Sequence, residues 1–307
     1  MSAVAPTNSL MPSISLAAVP GRRRPVIEAA VEAERRGFTG IYCPSLGDAL
    51  GLCLSIAHAT QTIPFGTSVQ PIYLQHPAQL ANQASYINEI SDGRFRLGIG
   101  VSHGPVHKRL GAEVGKPLTD TRNYVAALKA AVPSSGPLPP ITLATLRDKM
   151  VDLSVEVAEG AVWANSSLND MGRSVARIPQ ERRDAGFFVG NMLPTVIDDD
   201  RVAAGNRNRA TLTGYVSLPN YRNYWKLAGY EEEMNAIEAA LAAGEKDKIT
   251  AAMSEKWLSS CTVYGSVNQV RETTEAWLDL GVTPILVPSS TSGGQLKAIE
   301  EMFSAFS

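Results

Sequence analysis

Eight stretches of this chain read as β-strands and the intervals between them read as helices, an alternation that restricts the possible folds more than any other feature. The strand-like segments are ISLAAV (14–19), GIYC (40–43), IPFGTSVQP (63–71), RFRLGIG (94–100), ITLATL (141–146), GAVWAN (160–165), FFVGNMLPTVI (187–197) and ILVPS (285–289). Apolar residues at helical spacing mark the intervals. Ile27 and Val31 share a face in 23–36, and Leu80, Ala84 and Ile87 share one in the helix that Pro77 opens. Met150, Leu153 and Val157 do so after ITLATL, as do Leu296, Ile299 and Phe303 near the C-terminal end. Further helices are expected up to residue 60 and over 120–132 and 168–186, with a Pro-rich link at 133–140. Strands separated by helices pair in parallel through right-handed crossovers. The expected fold is therefore α/β: a single (β/α)8 TIM-type barrel over 1–307, with a mostly helical insertion, 198–282, between strands 7 and 8. An open doubly wound sheet with an added helical lobe is the competing arrangement.

In a barrel the ligand site lies at the C-terminal ends of the strands, which directs attention to EISDGRFRLGIGVSHG, 89–104. Asp92-Gly93 ends the preceding helix, since glycine tolerates the left-handed backbone of a helix exit. Phe95, Leu97 and Ile99 then alternate as a strand does. Gly98 and Gly100 leave room for something to lie against the strand, either another part of the chain or a flat ligand. The barrel would place Gly100 to His103 at its mouth.

Charge and cysteine content narrow the partners. Lys plus Arg number 28 against 30 for Asp plus Glu, a formal net charge of -2, which gives no reason to expect nucleic acid or an anionic membrane. No apolar run approaches the roughly 18 residues of a membrane span, and the start, MSAVAPTNSL, lacks the pattern of a signal peptide. Cys43, Cys53 and Cys261 form no CxxC pair and leave an odd count. Buried free thiols in a reducing cytoplasm are the expected state.

The ordered set GTSVQPIYLQHPAQLANQASYINEISDGRFRLGIGVSH resembles the luciferase-like flavin- and deazaflavin-dependent oxidoreductases. The resemblance continues through PPITLATLRDKMVDLSVEVAEGAVW, YVSLPNYRNYWKLAGY and YGSVNQVRETTEAWLDLGVTPILV, and so covers most of the chain. GRFRLGIGVSHGPV looks closest to the branch that uses coenzyme F-420, an 8-hydroxy-5-deazaflavin. The resemblance implies a cofactor ring packed on a bulge in the third strand, made by a cis peptide between Ser68 and Val69, with Gly100 and Ser102 beside it; the alternative is an ordinary trans strand. It places His103 where related enzymes hold an acid close to the ring. Imidazole titrates near neutrality and can supply a proton to a substrate receiving hydride; a histidine serving local hydrogen bonds is the alternative.

The cofactor's phosphate-bearing tail is implied to lie over the ends of the fifth and sixth strands. Relatives often carry a Gly-rich stretch there; this chain has Thr145, Arg147 and Asp148 at one end and Asn165, Ser166 and Ser167 at the other. Arg147 can pair with phosphate, or can belong with Asp148 to a solvated helix start. An acid-His pair found in several relatives is replaced by Ser45 and Leu46, and Asp48 reads as a helix-start residue. Ser266 reads as an N-cap. His107 raises the question of a metal, but Gly104-Pro105 breaks a simple helical face between His103 and His107, and no acidic third ligand is near, so no metal site is expected.

Function is thus expected to be hydride transfer between coenzyme F-420 and a small-molecule substrate, by a cytoplasmic homodimer. An FMN-dependent monooxygenase on the same barrel, and a catalytically degenerate cofactor-binding paralogue, are the competing readings.

Overall fold

The computed structural model describes residues 11–306. Ten strands form among them: β1 (Ser13–Ser15), β2 (Ile41–Cys43), β3 (Phe65–Thr67), β4 (Gln70–Pro71), β5 (Phe95–Gly100), β6 (Ile141–Ala144), β7 (Gly160–Ala164), β8 (Phe188–Ile197), β9 (Val263–Gly265) and β10 (Thr283–Ser289). Every pairing is parallel, in the order β10-β1-β2-β3-β5-β6-β7-β8, and β10 also pairs with β8 from Thr283↔Gly190 to Ser289↔Val196. That last pairing closes the sheet. The fold is the expected (β/α)8 barrel, and the open sheet is excluded.

Strand residues alternate between two faces, and here the two faces meet different cores. Ile14, Ile41, Phe65, Leu97, Ile99, Leu143, Trp163 and Leu286 point outward into the main apolar cluster under the helices. Tyr42, Val162, Met192 and Ile285 point inward and pack with Val69, Ala164, Phe188 and Val287. Near the start of β8 the Arg96 guanidinium lies 4.7 Å from the centre of the Phe188 ring, and Tyr42 lies 5.2 Å from it on centroids. These groups fill the barrel at its N-terminal end, so a ligand can enter only from the other.

Several boundaries differ from expectation. The helix Arg23–Arg35 buries Val26, Ala29, Ala30 and Ala33, while Val31 is exposed, so its inward face is not the one that Ile27 and Val31 share. The 168–186 helix is two, Leu168–Val175 and Gln180–Asp184, divided ahead of Pro179, whose ring cannot continue a helix interior. Part of the Pro-rich link forms the short helix Val132–Ser135. The insertion is not wholly helical: β9 pairs with the end of β8, Thr195↔Val263 to Ile197↔Gly265. Five of its six helices, Arg201–Val216, Pro219–Leu227, Glu231–Ala243, Lys246–Ala251 and Glu255–Cys261, share a cluster built on Tyr221, Tyr224, Trp225, Tyr230 and Trp257, while the sixth, Val267–Asp279, buries Val270 and Trp277 in the barrel's cluster. Leu146 packs against both this cluster and the barrel's, joining the two. The free thiols of Cys43, Cys53 and Cys261 are all buried.

Candidate active site

The third barrel strand is broken between β3 and β4. Gly66 pairs with Arg96 and Gln70 with Ile99, so three residues, 67 to 69, stand opposite two, 97 and 98. One extra residue makes a bulge, which re-aims the side chains around it. The Ser68–Val69 peptide within it is cis. The Thr67 hydroxyl donates to the Gly98 carbonyl at 2.6 Å, and the Ser68 N–H donates to the Cys43 carbonyl at 2.8 Å. A Cβ on Gly98 would lie 2.0 Å from the Thr67 oxygen; one on Gly100 would lie 2.6 Å from Ala144 Cβ and 2.9 Å from Val69 Cγ2. The room those glycines leave is thus taken by the bulge, which holds Val69 out into the barrel. Ser68 Oγ meets Met192 Sδ at 2.9 Å across the barrel interior.

Beyond Gly100 the chain turns out of the barrel at Ser102, whose φ of 61° lies in the left-handed region, as does Asn165 (φ 57°) at the end of β7. Such residues each cost about 1–3 kcal/mol and persist where their surroundings hold them, commonly at ligand sites. His103 follows as the N-cap residue of the helix Gly104–Leu110 but makes no capping hydrogen bond with its side chain. Pro105 stands in the first turn of that helix, where its missing N–H costs nothing, so Gly104-Pro105 starts a helix rather than breaking one. His107, one turn on, is held by the Val101 carbonyl through Nε2 and packs edge-on to Tyr73. No group of three or more potential metal ligands occurs among the described residues.

The His103 ring packs against two side chains of the insertion: Tyr215, at 6.2 Å between centroids, and Tyr221, at 5.7 Å. Tyr215 and Tyr221 are themselves 5.1 Å apart. The stack runs on through Trp225 to Trp257. Burial, with a smaller contribution from His107, holds the His103 imidazole below its ordinary range, favouring the neutral ring. Burial raises both tyrosines and keeps their hydroxyls protonated. Sequence reading missed this wall. Its signal was present: five of the sixteen residues from 215 to 230 are aromatic in a chain that is 7% aromatic.

At the end of β7 the insertion grips the strand. Trp225 Nε1 donates to the Asn165 carbonyl at 3.1 Å, the Ser167 N–H donates to the Tyr224 hydroxyl at 2.9 Å, and the Ser167 and Ser260 hydroxyls are 2.7 Å apart. Ser166 Oγ is fully buried against Met171 Sδ. The hydroxyls of Ser166 and Ser167 are therefore engaged inside the chain, whereas Asn165, 2% exposed, leaves its Nδ2 without a hydrogen-bond partner. Asn165 also bears on the Tyr215 hydroxyl through its side chain, partly offsetting the rise that burial causes there. Thr145 is buried with Oγ1 directed to the Val162 carbonyl. Arg147 is exposed at the start of the helix Asp148–Val157, while its neighbour Asp148 is paired with Arg173 and Arg177. Asp48 caps the helix Ala49–Ala59 through Gly51 N–H, and Ser266 forms a capping box with Gln269. A cleft of 480 Å³ lined by Asp48, Leu54, Gln70, Gln75 and Tyr86 lies between the helices Ala49–Ala59 and Pro77–Ile90. Ser68, Val69, Gly100, Ser102 and His103 do not border it, and its one carboxylate, Asp48, is engaged as a helix cap.

A closed barrel with a bulged strand and a histidine at its mouth is the arrangement that the sequence resemblance implied. The sequence profile of the luciferase-like monooxygenases matches residues 9–284. The chain belongs to that family. Among its relatives, 5,10-methylenetetrahydromethanopterin reductase of Methanolobus tindarius is 23% identical over 297 residues, 87% of this chain and 91% of the relative. In fold it is similar to the coenzyme F-420-dependent tetrahydromethanopterin reductase from Methanopyrus kandleri, with a TM-score of 0.74 at 18% identity over 96% of this chain and 98% of that one. An F-420-dependent secondary alcohol dehydrogenase, solved with an F-420–acetone adduct, gives a TM-score of 0.68 at 14% identity over 96% and 98%. None of the helices among the described residues of this family member is long and apolar enough to cross a membrane.

Proposed function

We propose that this luciferase-like protein is an oxidoreductase that moves a hydride between coenzyme F-420 and a small organic substrate. The observation that carries the reading is the bulge: Val69 stands in the barrel above Gly98 and Gly100, three residues from His103. The residues present fit a flat ring with a polar tail. Val69 and Gly100 would brace one face of the ring, with Ser68 and Ser102 at its edge. Asn165 Nδ2 is a buried donor in need of an acceptor, and Thr145 and Arg147 stand at the neighbouring strand end toward the tail. Ser166 and Ser167 would contribute through backbone rather than hydroxyl groups, since both hydroxyls are engaged.

When bound, F-420 would supply a two-electron hydride donor or acceptor. The chain's own part is to hold the substrate, exclude water with the aromatic wall of the insertion, and move one proton. His103 serves that last role. In its neutral form it takes the proton from an alcohol during oxidation; in its protonated form it returns one to the oxygen during reduction. No carboxylate is needed in this scheme, which accords with Ser45 and Leu46 standing where relatives carry an acid-His pair. A cytoplasmic location, expected from the buried free thiols, and a homodimeric state both belong to this proposal.

An FMN-dependent monooxygenase is the competing reading, favoured by the activity in the family's own description. Titrating the protein with F-420 and with FMN at matched ionic strength separates the two. Tighter binding of F-420 supports the proposal; equal or tighter binding of FMN transfers it to the monooxygenase.

A further inference from the structure

Asn165 is fixed by its backbone and left idle by its side chain. Its φ of 57° is left-handed, a conformation that persists where neighbours hold it. Here they do. The Asn165 N–H donates to the Met192 carbonyl of β8 at 2.9 Å, and the Asn165 carbonyl accepts from Trp225 Nε1 at 3.1 Å. The next two N–H groups are also taken, that of Ser166 by Asn191 Oδ1 at 3.4 Å and that of Ser167 by the Tyr224 hydroxyl at 2.9 Å. Two of these partners, Tyr224 and Trp225, are neighbours on the helix Pro219–Leu227 of the insertion, and both are fully buried.

These bonds fix the peptide planes on either side of Asn165, and with them the direction in which its side chain leaves the backbone. Yet Nδ2 has no partner, in a residue only 2% exposed. Buried amide donors are ordinarily paired. A fold that needed only the left-handed turn would be served by glycine, which adopts that backbone freely and buries no polar side chain. The side chain of Asn165 bears on the Tyr215 hydroxyl, and the Tyr215 ring packs on His103, so the idle amide stands beside the barrel mouth. One strand over, Arg147 is exposed beyond the end of β6. A preorganised donor beside an exposed guanidinium suits an oxygen that carries negative charge.

We propose that Trp225 is a positioning residue which, with Tyr224, holds Asn165 so that Nδ2 donates to a phosphate oxygen of the coenzyme's tail. The inference rests on the F-420 reading and deepens it. Asn165 touches the ligand; Trp225 acts through it from the insertion, which thereby becomes part of the cofactor site.

Calorimetric titration with F-420, and with the same deazaflavin lacking its phosphate-bearing tail, tests the assignment. Asn165→Gly keeps the left-handed backbone and removes the amide; it should weaken F-420 at least about tenfold, the loss of a donor to a charged oxygen. Trp225→Phe keeps a ring against Tyr221 and Trp257 and removes the N–H; it should weaken F-420 at least about threefold. Both variants should bind the tail-less deazaflavin as wild type does. Asn165→Gly should melt no lower than wild type, whereas Trp225→Phe should melt lower because it shrinks a buried ring. In the Asn165→Gly background, Trp225→Phe should change F-420 affinity by less than about twofold, since the two residues act through one donor. Equal losses for both ligands, or additive losses in the double variant, would make Trp225 a purely structural residue. Unaltered F-420 affinity in Asn165→Gly would remove the tail from Asn165. The comparison of FMN with riboflavin keeps this inference apart from the choice of coenzyme. A phosphate-selective loss there, in a protein that does not bind F-420, retains the positioning role and removes F-420. A wild-type protein that binds neither coenzyme overturns both.

Discussion

The two ends of the segment SDGRFRLGIGVSH treat their polar side chains in opposite ways. At its start Arg94 donates to five acceptors: the carbonyls of Ala57, Thr60, Ile63 and Ser91 and the Thr60 hydroxyl. It thereby closes the exposed carbonyl end of the helix Ala49–Ala59 and ties it to the turn before β5. At the far end the His103 side chain makes no capping hydrogen bond and its ring packs on Tyr215 and Tyr221, while Asn165 Nδ2 is buried with no partner. One end uses its hydrogen-bonding capacity to hold the fold; on the proposed function, the other keeps it for something that binds. The most recognisable motif of this sequence is thus partly a structural fastening, and residues that a family comparison notices together do different work.

That contrast can be broken by substitution, and the largest effect is expected at the fastening. Arg94→Met keeps the stem and strands five acceptors, so unfolding in urea should show a loss of about 3–5 kcal/mol. The folded fraction should bind F-420 as wild type does. A stable Arg94→Met protein that has lost its cofactor would reverse the roles assigned to the two ends. Gly100→Val probes the strand joining them. Its added carbons meet Ala144 and Val69 below normal contact distance, and overpacking of this kind costs about 1–3 kcal/mol. Because Val69 must move, F-420 affinity should fall at least tenfold, and a variant with normal affinity would remove the bulge from the site.

A smaller effect is expected at Glu34, a second fastening on the same side as Arg94. Its carboxylate accepts from the N–H groups of Gln61, Thr62 and Ile63. Burial opposes ionisation there, but the three donors together hold the group below its ordinary value of 4.5. A depressed carboxylate stabilises the fold above its unfolded value and loses that contribution as pH falls through the folded one. Glu34→Gln should therefore cost about 1 kcal/mol at neutral pH, given the group's partial exposure. The difference from wild type should shrink on acidification below 4.5. A gap that stays constant down to pH 3 in denaturation curves would show that the carboxylate's charge is not what holds the turn.

The barrel was legible because its signals are local. Alternation at a period of two, helical spacing, and turn residues such as Asp92-Gly93 each depend on a few neighbouring residues. The bulge was legible only through resemblance, since nothing in GTSVQP alone requires an extra residue opposite β5. The helix Gly104–Leu110 was missed because proline was read as a breaker where it serves as a starter. The wall of Tyr215 and Tyr221 escaped for a different reason: it exists only once an insertion folded on β8 and β9 comes back over the end of β5. Spacing along the chain carries no record of a contact made between residues 103 and 221. Ser166 and Ser167 illustrate the converse, residues whose type suits a phosphate but whose surroundings, Met171 and Ser260, already occupy them.

The central claim is that the unpaired groups at the mouth serve chemistry and the paired groups below serve the fold, and His103→Gln tests it most directly. The variant's melting temperature, F-420 affinity and turnover are measured together, with acetophenone and its alcohol as substrates. A half-buried loop residue with no side-chain hydrogen bond should cost no more than about 0.5 kcal/mol of stability. The account predicts normal melting, normal F-420 affinity and a loss of turnover of at least about tenfold, the low end of what proton transfer contributes. A variant that unfolds readily, or one that turns over as fast as wild type, contradicts it.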